Sequence, residues 1–241
     1  MTQWHNMLLK IEKEFETFPD SYLRQPTISK TICPSISSLA SKYFEKVKNS
    51  PFLIEESNYG QPPKNKIPFS LTTLQLAYYL DIINEMCPIS ELGEVCDIGP
   101  GYAGLYRLLN AADWRGIYTS VDFPIMHKIQ LDYLSNTVKD FQRETFNPKS
   151  VKDNYLPQVG NSIMIATFSL NEMPLIDREK VIGNLHHDYF FFQYNRSFDG
   201  IDNIKWFDKL QEDLSKEYEI KKWKCPIHFS GTIMMGKKSI K

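Results

Sequence analysis

EVCDIGPGYAG, residues 94–104, is the stretch on which the interpretation of the whole sequence depends. An apolar run with one acid, Asp97, near its end predicts a short buried strand that stops at Ile98. The glycines after this strand are compatible with a tight turn and with a close approach of the backbone to a ligand. The stretch therefore predicts a strand, a turn that is able to bind a ligand, and the start of a helix.

Two classes of ligand fit this turn. The spacing Gly99-x-Gly101-x-x-Gly104 occurs in loops that bind dinucleotides such as NAD. However, dinucleotide folds usually have an apolar residue where this chain has Asp97, and Asp122 ends the next predicted strand, 21 residues after Gly101. A carboxylate at that strand end accepts hydrogen bonds from both ribose hydroxyls of a nucleoside. The alternative for Asp122 is a structural cap on the helix that follows.

The second half of the chain alternates between predicted strands and helices, which is typical of a parallel sheet with crossover helices. The strands are predicted at 93–98, 116–124, 162–169 and 188–195, with a short third strand within 140–147. Two final runs, 218–224 and 228–238, predict a hairpin that adds an antiparallel strand to the parallel sheet.

Composition limits the possible partners and location. The 241 residues carry a net charge of -1, so no general attraction to nucleic acid is expected. No apolar run reaches the length of a membrane span. The four cysteines are far apart, and the first residues lack the pattern of a secretory signal. We therefore expect a cytoplasmic protein without disulfides or a membrane span, and the sequence does not predict its oligomeric state.

The acid and glycines of Asp97–Ala103, the acid that ends the second strand and the terminal hairpin together resemble the class I S-adenosylmethionine-dependent methyltransferases. The first motif of that family is an acid followed by G-x-G-x-G, and here Ala103 stands at the third glycine. The resemblance covers residues 90–238 and implies an α/β, Rossmann-like sheet of seven mostly parallel strands with an antiparallel last strand. It also implies that S-adenosyl-L-methionine is the cofactor, and the candidate contacts are Asp97, Gly99, Gly101, Tyr102, Asp122, Phe123 and Phe168.

Shorter motifs resemble the bacterial sugar O-methyltransferases. They are Arg24–Ile28, Thr72–Leu74, Asp122–Pro124, Phe168–Met173 and Phe192–Asn195. This narrower resemblance implies methyl transfer to the hydroxyl of a sugar or glycan. We expect the end of the fifth strand, Tyr194, Asn195 and Arg196, to contact that acceptor.

Glu172 is the candidate general base. It follows a predicted buried strand by a few residues, at the sheet edge where ligands bind in open α/β folds. A neutral hydroxyl is a weak nucleophile, and a partly buried carboxylate with a raised pKa is able to accept its proton. The alternative is that Glu172 only stabilises a helix N-terminus. A histidine such as His228 is a less favoured base. Asp199 and Asp202 flank Gly200 after the fifth strand, where a role in a turn is favoured over a role in binding a metal, and no metal ligand is assigned.

The sequence divides into two predicted parts. Residues 1–88 have no nucleotide signature and contain proline-separated helices, of which 70–86 is the strongest, with Ser70 as its cap. We expect this part to be a helical lid that selects the acceptor, and residues 89–241 to bind the cofactor. Three other functions stay open: a methyltransferase with another small acceptor, an NAD-dependent oxidoreductase, and a scaffold that binds a nucleotide without catalysis.

Overall fold

The chain forms two compact units, each built from separate stretches of sequence. The computed structural model describes residues 3–64, 66–228 and 231–239, without the side chains of residues 3–5. The helical unit comprises Met1–Glu85, Gly101–Trp114 and Phe123–Gln142, and the sheet unit comprises Met86–Pro100, Arg115–Asp122 and Arg143–Lys241. The glycine-rich turn therefore passes from one unit to the other between Pro100 and Gly101.

Among the described residues the helical unit contains six α-helices, the fourth of which ends one residue beyond the unit. They are α1 (Gln3–Thr17), α2 (Pro26–Ile32), α3 (Ser37–Val47), α4 (Leu71–Met86), α5 (Gly104–Ala111) and α6 (Pro124–Thr137). The predicted cap of α4 is confirmed, because the backbone N–H of Thr73 donates to Ser70 Oγ over 3.1 Å. No helix in the described part of the chain is long and apolar enough to cross a membrane.

Helix α2 was not predicted, because its stabilising partner is distant in the sequence. Pro26 occupies its first turn, where a missing N–H costs nothing. The Glu14 carboxylate, from α1, accepts hydrogen bonds of 3.0 Å from the backbone N–H groups of Thr27 and Ile28. A negative charge at a helix N-terminus is favourable, and here another helix supplies it.

Among the described residues of the sheet unit, one sheet is formed by seven strands: β1 (Glu94–Ile98), β2 (Ile117–Val121), β3 (Phe146–Lys149), β4 (Ser162–Thr167), β5 (Tyr189–Asn195), β8 (Tyr218–Lys224) and β9 (Gly231–Lys238). They lie in the order β3-β2-β1-β4-β5-β9-β8. A small separate hairpin is formed by β6 (Ser197–Phe198) and β7 (Ile201–Asp202). The first five strands are parallel, and β9 runs antiparallel between β5 and β8. The predicted Rossmann-like sheet with an antiparallel last strand is confirmed, although the third strand begins at Phe146, later than the range 140–147 suggested.

One face of this sheet packs on the helices that follow β4 and β5. These are α7 (Ser169–Glu172), α8 (Leu175–Gly183) and α9 (Asn203–Leu214). The buried cluster joins alternate strand residues such as Cys96 and Phe192 to Val181 of α8 and Phe207 of α9. Consecutive residues of β1, β4 and β5 are buried, so both faces of these strands are covered, which explains why the strands are almost continuously apolar.

The turn after β1 uses the left-handed backbone region three times. Its φ angles are +66° at Gly99, +61° at Gly101 and +65° at Ala103. Glycine adopts this region freely, whereas a residue with a Cβ atom does so at a cost of about 1–2 kcal/mol. Ala103 therefore sits in a conformation that is suited to the third glycine of the motif.

We expect Ala103→Gly to leave the free energy of unfolding unchanged or to raise it by up to about 1 kcal/mol, since it removes that strain. The matched control is Ala111→Gly in the exposed last position of α5. It should destabilise by up to about 1 kcal/mol, the usual cost of glycine in a helix. Urea unfolding of both variants tests this, and equal losses of stability would contradict it.

Candidate functional site

The carboxyl ends of four parallel strands bring most of the predicted site residues of the sheet unit to one edge. The ladder continues past the strand ends, because Gly99 N donates to Val121 O (2.9 Å) and Phe168 N donates to Gln193 O (2.8 Å). Asp97, Gly99, Asp122, Phe168 and Asn195 all lie at or just beyond these ends. Ligands of open α/β sheets bind at this edge.

Asp97 is a buried carboxyl group with an incomplete set of hydrogen bonds. Its side chain is 3% exposed, and Oδ2 accepts a hydrogen bond of 2.5 Å from the Tyr118 hydroxyl. Oδ1 is buried and has no hydrogen-bond partner among the described residues. Burial raises the pKa of Asp97 to about 7, against the opposing effect of the Tyr118 hydrogen bond. A ligand with an N–H or O–H donor, or a positive charge, would satisfy the second oxygen.

Gly99 is needed for its backbone angle and for its small size. A Cβ atom at this position would lie 2.5 Å from Ser169 Cβ. The Ser169 hydroxyl donates to the carbonyl of Ile98. The turn after β1 is thereby fixed against the segment after β4.

Phe168 directly follows β4 in a strained conformation. Its φ angle is +69°, a region that bulky residues rarely adopt, and such strain is found mostly at functional sites. The ring lies against the imidazole of His228, with 5.2 Å between the ring centroids. Partial burial lowers the pKa of His228, which favours a neutral imidazole.

Asp122 directly follows β2, and its N–H donates to Lys149 O over 2.9 Å. The N-cap position of α6 is occupied by Phe123, which makes no side-chain cap. Asp122 therefore lies one residue before the N-cap position of this helix.

The other three predicted cofactor contacts belong to the helical unit. Gly101 O accepts a hydrogen bond of 3.0 Å from Gln130 Nε2, and a Cβ atom at Gly101 would lie 3.4 Å from Ile32 Cβ. Tyr102 is buried, with its ring 4.8 Å from that of Tyr133. Phe123 is 42% exposed, which is unusual for a phenylalanine and leaves its ring accessible.

Glu172 is the last residue of α7 and is partly buried. Burial raises its pKa to about 7. At neutral pH a carboxyl group of this kind is able both to accept and to return a proton.

The three residues that were predicted to contact the acceptor differ in their exposure. Asn195 is half-buried and its N–H donates to Asn171 Oδ1 over 3.3 Å, whereas Arg196 is exposed. Tyr194 lies in the core, where its ring stacks on Phe207 with 3.7 Å between centroids. Its position favours a packing role that supports the end of β5.

Sequence reasoning missed the residues that connect these positions. Ser169, Asn171 and Tyr118 each contact a candidate residue through the fold. The alternation of side chains along β2 could have predicted that Tyr118 and Ser120 lie on one face of the sheet. It could not have predicted that Ser120 pairs with Asp97 of the neighbouring strand. Within the ranges that the structure describes, no group of three His, Cys, Asp or Glu side chains could hold a metal ion.

The fold is similar to that of known methyltransferases, although the sequence is distant. Neither the family models nor the curated proteins compared with this sequence match it. The methyltransferase domain of bacterial CtHen1 has a TM-score of 0.54 at 11% identity, over 69% of this chain and 97% of that one. Magnesium protoporphyrin IX methyltransferase (ChlM) from Synechocystis PCC 6803, solved with bound SAH, has a TM-score of 0.50 at 14% identity, over 68% and 82% of the two chains. The chain therefore has the Rossmann-like methyltransferase fold.

The raised pKa of Asp97 predicts a pH-dependent effect of Asp97→Asn. Its pKa is about 7 in the folded protein and ordinarily 3.8, so its stabilising contribution is complete below about pH 4 and is lost as the pH rises through 7. The stability of Asp97→Asn minus that of the wild type should therefore increase from pH 4 to pH 8, by up to about 4 kcal/mol, since one pKa unit corresponds to about 1.4 kcal/mol.

Chemical denaturation of both proteins across this pH range tests the prediction. Burial lowers the pKa of His187 to about 4, so His187 changes stability with pH in the opposite direction. Because His187 is present in both proteins, its contribution cancels when the variant is compared with the wild type. An unpartnered amide in the variant costs the same at every pH, so only the slope of the difference is diagnostic. A difference that does not change with pH would contradict a pKa near 7.

Proposed function

We propose that this protein is an S-adenosylmethionine-dependent methyltransferase. The observation that carries the proposal is the edge formed by Asp97, Gly99 and Asp122, on a fold similar to that of known methyltransferases. The buried, unpartnered Oδ1 of Asp97 suits the ammonium group of an amino acid, and the backbone at Gly99 has no room for a side chain. When bound, S-adenosylmethionine supplies an activated methyl group on a positively charged sulfur.

The other cofactor contacts follow from position in the chain. Asp122 would accept hydrogen bonds from the ribose hydroxyls, and the exposed ring of Phe123 next to it suits the flat face of the adenine. Gly101 and Tyr102 continue the loop beyond Gly99, and Phe168 supplies an aromatic wall. These assignments are proposals that binding measurements test directly.

We expect Asp122→Ala to weaken the binding of S-adenosylhomocysteine by about 1.5–3 kcal/mol, through the loss of charge-assisted hydrogen bonds. Isothermal titration calorimetry measures this. Asp213→Ala is the matched control, because it removes the same charge from the exposed face of α9. NADH in parallel titrations separates this proposal from an oxidoreductase, and tight NADH binding without S-adenosylhomocysteine binding would overturn it.

The acceptor that we propose is a sugar hydroxyl, in a glycan, a nucleotide sugar or a secondary metabolite. A hydroxyl acceptor requires removal of a proton, and the pKa of about 7 makes Glu172 a suitable base. The chain mainly has to align the acceptor oxygen with the methyl group and to exclude water. Asn195 and Arg196, at the end of β5, would hold the sugar, with Tyr194 fixing this strand end from the core.

Residues 1–88 remain our proposed lid and acceptor-selecting segment. The support comes from a contact within the helical unit. Ile32 of α2 lies next to Gly101, where an added Cβ atom would be 3.4 Å from Ile32 Cβ. Incubation with labelled S-adenosylmethionine and a panel of free sugars, nucleotide sugars and simple phenols tests the acceptor class. Transfer only to the phenols would favour the alternative, a methyltransferase with a non-sugar acceptor.

Glu172→Gln should lower turnover about 100-fold or more and leave the affinity for S-adenosylhomocysteine nearly unchanged, because the shape is kept and the base is lost. In the wild type, turnover should rise with pH through about 7 as the carboxyl group ionises, and level off above. The variant should lose this rise.

The matched control is Glu212→Gln on the exposed face of α9. The variant and its control are compared by turnover from pH 5.5 to 8.5 on the best acceptor of the panel. If Glu172→Gln keeps most of its turnover while His228→Ala loses it, the base is His228 and this part of the proposal is wrong.

A further inference from the structure

A fully buried arginine contacts the segment that carries Glu172. Arg178 of α8 has no exposed surface, and its guanidinium lies 5.1 Å from the centre of the Trp206 ring. In the part of the chain that the structure describes, no carboxylate lies within ion-pair distance of it. Burial lowers its pKa to about 10, and no neighbouring charge contributes to this shift. A buried charge without a counterion destabilises a fold, so its presence calls for a reason other than stability.

Hydrogen bonds show what this guanidinium does. Arg178 Nε donates to Met173 O over 2.9 Å, and Nη2 donates to the carbonyl of Asn171. These two carbonyls belong to the residues immediately before and after Glu172. The backbone on both sides of Glu172 is thus held by a single planar group, which a lysine could not replace with the same geometry.

The same guanidinium also reaches the segment after β5. Arg178 Nη1 donates to Asn203 Oδ1 over 2.8 Å, and Asn203 N donates to Arg196 O over 3.0 Å. On the other side, Asn171 Oδ1 accepts the N–H of Asn195 over 3.3 Å. The residues that we assign to acceptor binding are therefore connected through Arg178 to those that flank the proposed base.

We infer that Arg178 is a positioning residue that fixes Glu172 relative to Asn195 and Arg196, so that the base meets the acceptor hydroxyl. This inference rests on the proposed function, in which Glu172 is the base. Arg178 acts through the backbone and does not touch the reacting atoms. Because its donors are engaged by carbonyl and amide oxygens, it holds Glu172 in a buried place without serving as the counterion of the carboxylate.

The test measures Glu172 itself and needs no acceptor. In Arg178→Met the flanking backbone loses its donors and water reaches Glu172. We expect the pKa of Glu172, followed by carbon-13 NMR of the carboxyl group and assigned with Glu172→Gln, to fall from about 7 by at least one unit toward its ordinary 4.5. Amide hydrogen exchange at residues 171–173 and 195–196 should become at least tenfold faster, with the Kd for S-adenosylhomocysteine changed less than threefold.

Val181→Ala is the matched control for a loss of stability alone. Val181 lies on the same helix, fully buried in the apolar cluster, and its truncation should lower Tm without moving the Glu172 titration. Arg178→Lys keeps the charge and should give a smaller shift in the same direction. It replaces Arg178→Met if that variant does not fold.

Two results would overturn the inference. An unchanged pKa and exchange rate in a folded Arg178 variant would show that the guanidinium positions nothing. A rise in the pKa of Glu172 would show that Arg178 acts through its charge. A failure of the proposed function is visible separately, as absent binding of S-adenosylhomocysteine to the wild type or full turnover in Glu172→Gln.

Discussion

The close contact between Gly99 and Ser169 is the constraint on which the candidate site depends. A parallel sheet brings the carboxyl ends of β1 and β4 to one edge, but it leaves the two following segments free to diverge. The missing Cβ at Gly99 and the hydrogen bond from the Ser169 hydroxyl to Ile98 O join them. The proposed cofactor turn and the segment that ends in Glu172 are thereby fixed relative to each other.

Three ionisable groups in the sheet unit have pKa values that burial shifts away from their ordinary range. Burial moves the pKa of Asp97 and of Glu172 to about 7, and that of Arg178 to about 10. An interior selected for stability alone would replace such groups by apolar ones of similar volume. Their presence at or beside one sheet edge is the pattern expected of a site where charge is needed for binding or proton transfer.

The sequence predicted the sheet unit better than the helical unit. The alternation of β1, β4 and β5 with helices, and the terminal hairpin, are local patterns, so the positions of these strands along the chain followed from them. Helix α2 was missed, because its N-terminus is stabilised by Glu14 of another helix. The third strand was misplaced by a few residues, because its four residues include Pro148 and give a weak signal.

The sequence by itself determined the turn and its acids: Asp97, Gly99, Gly101 and Asp122 were identified from spacing, since a left-handed turn after a strand requires glycine. Tertiary structure alone decided that Asp97 accepts a hydrogen bond from Tyr118 and that Glu172 is partly buried, which raises its pKa. It also decided that Tyr194 lies in the core and that Arg178 donates hydrogen bonds to the carbonyls on both sides of Glu172. The physical reason is that a pKa and a hydrogen-bond partner depend on which distant segments exclude water from a side chain, and spacing along one chain does not encode this.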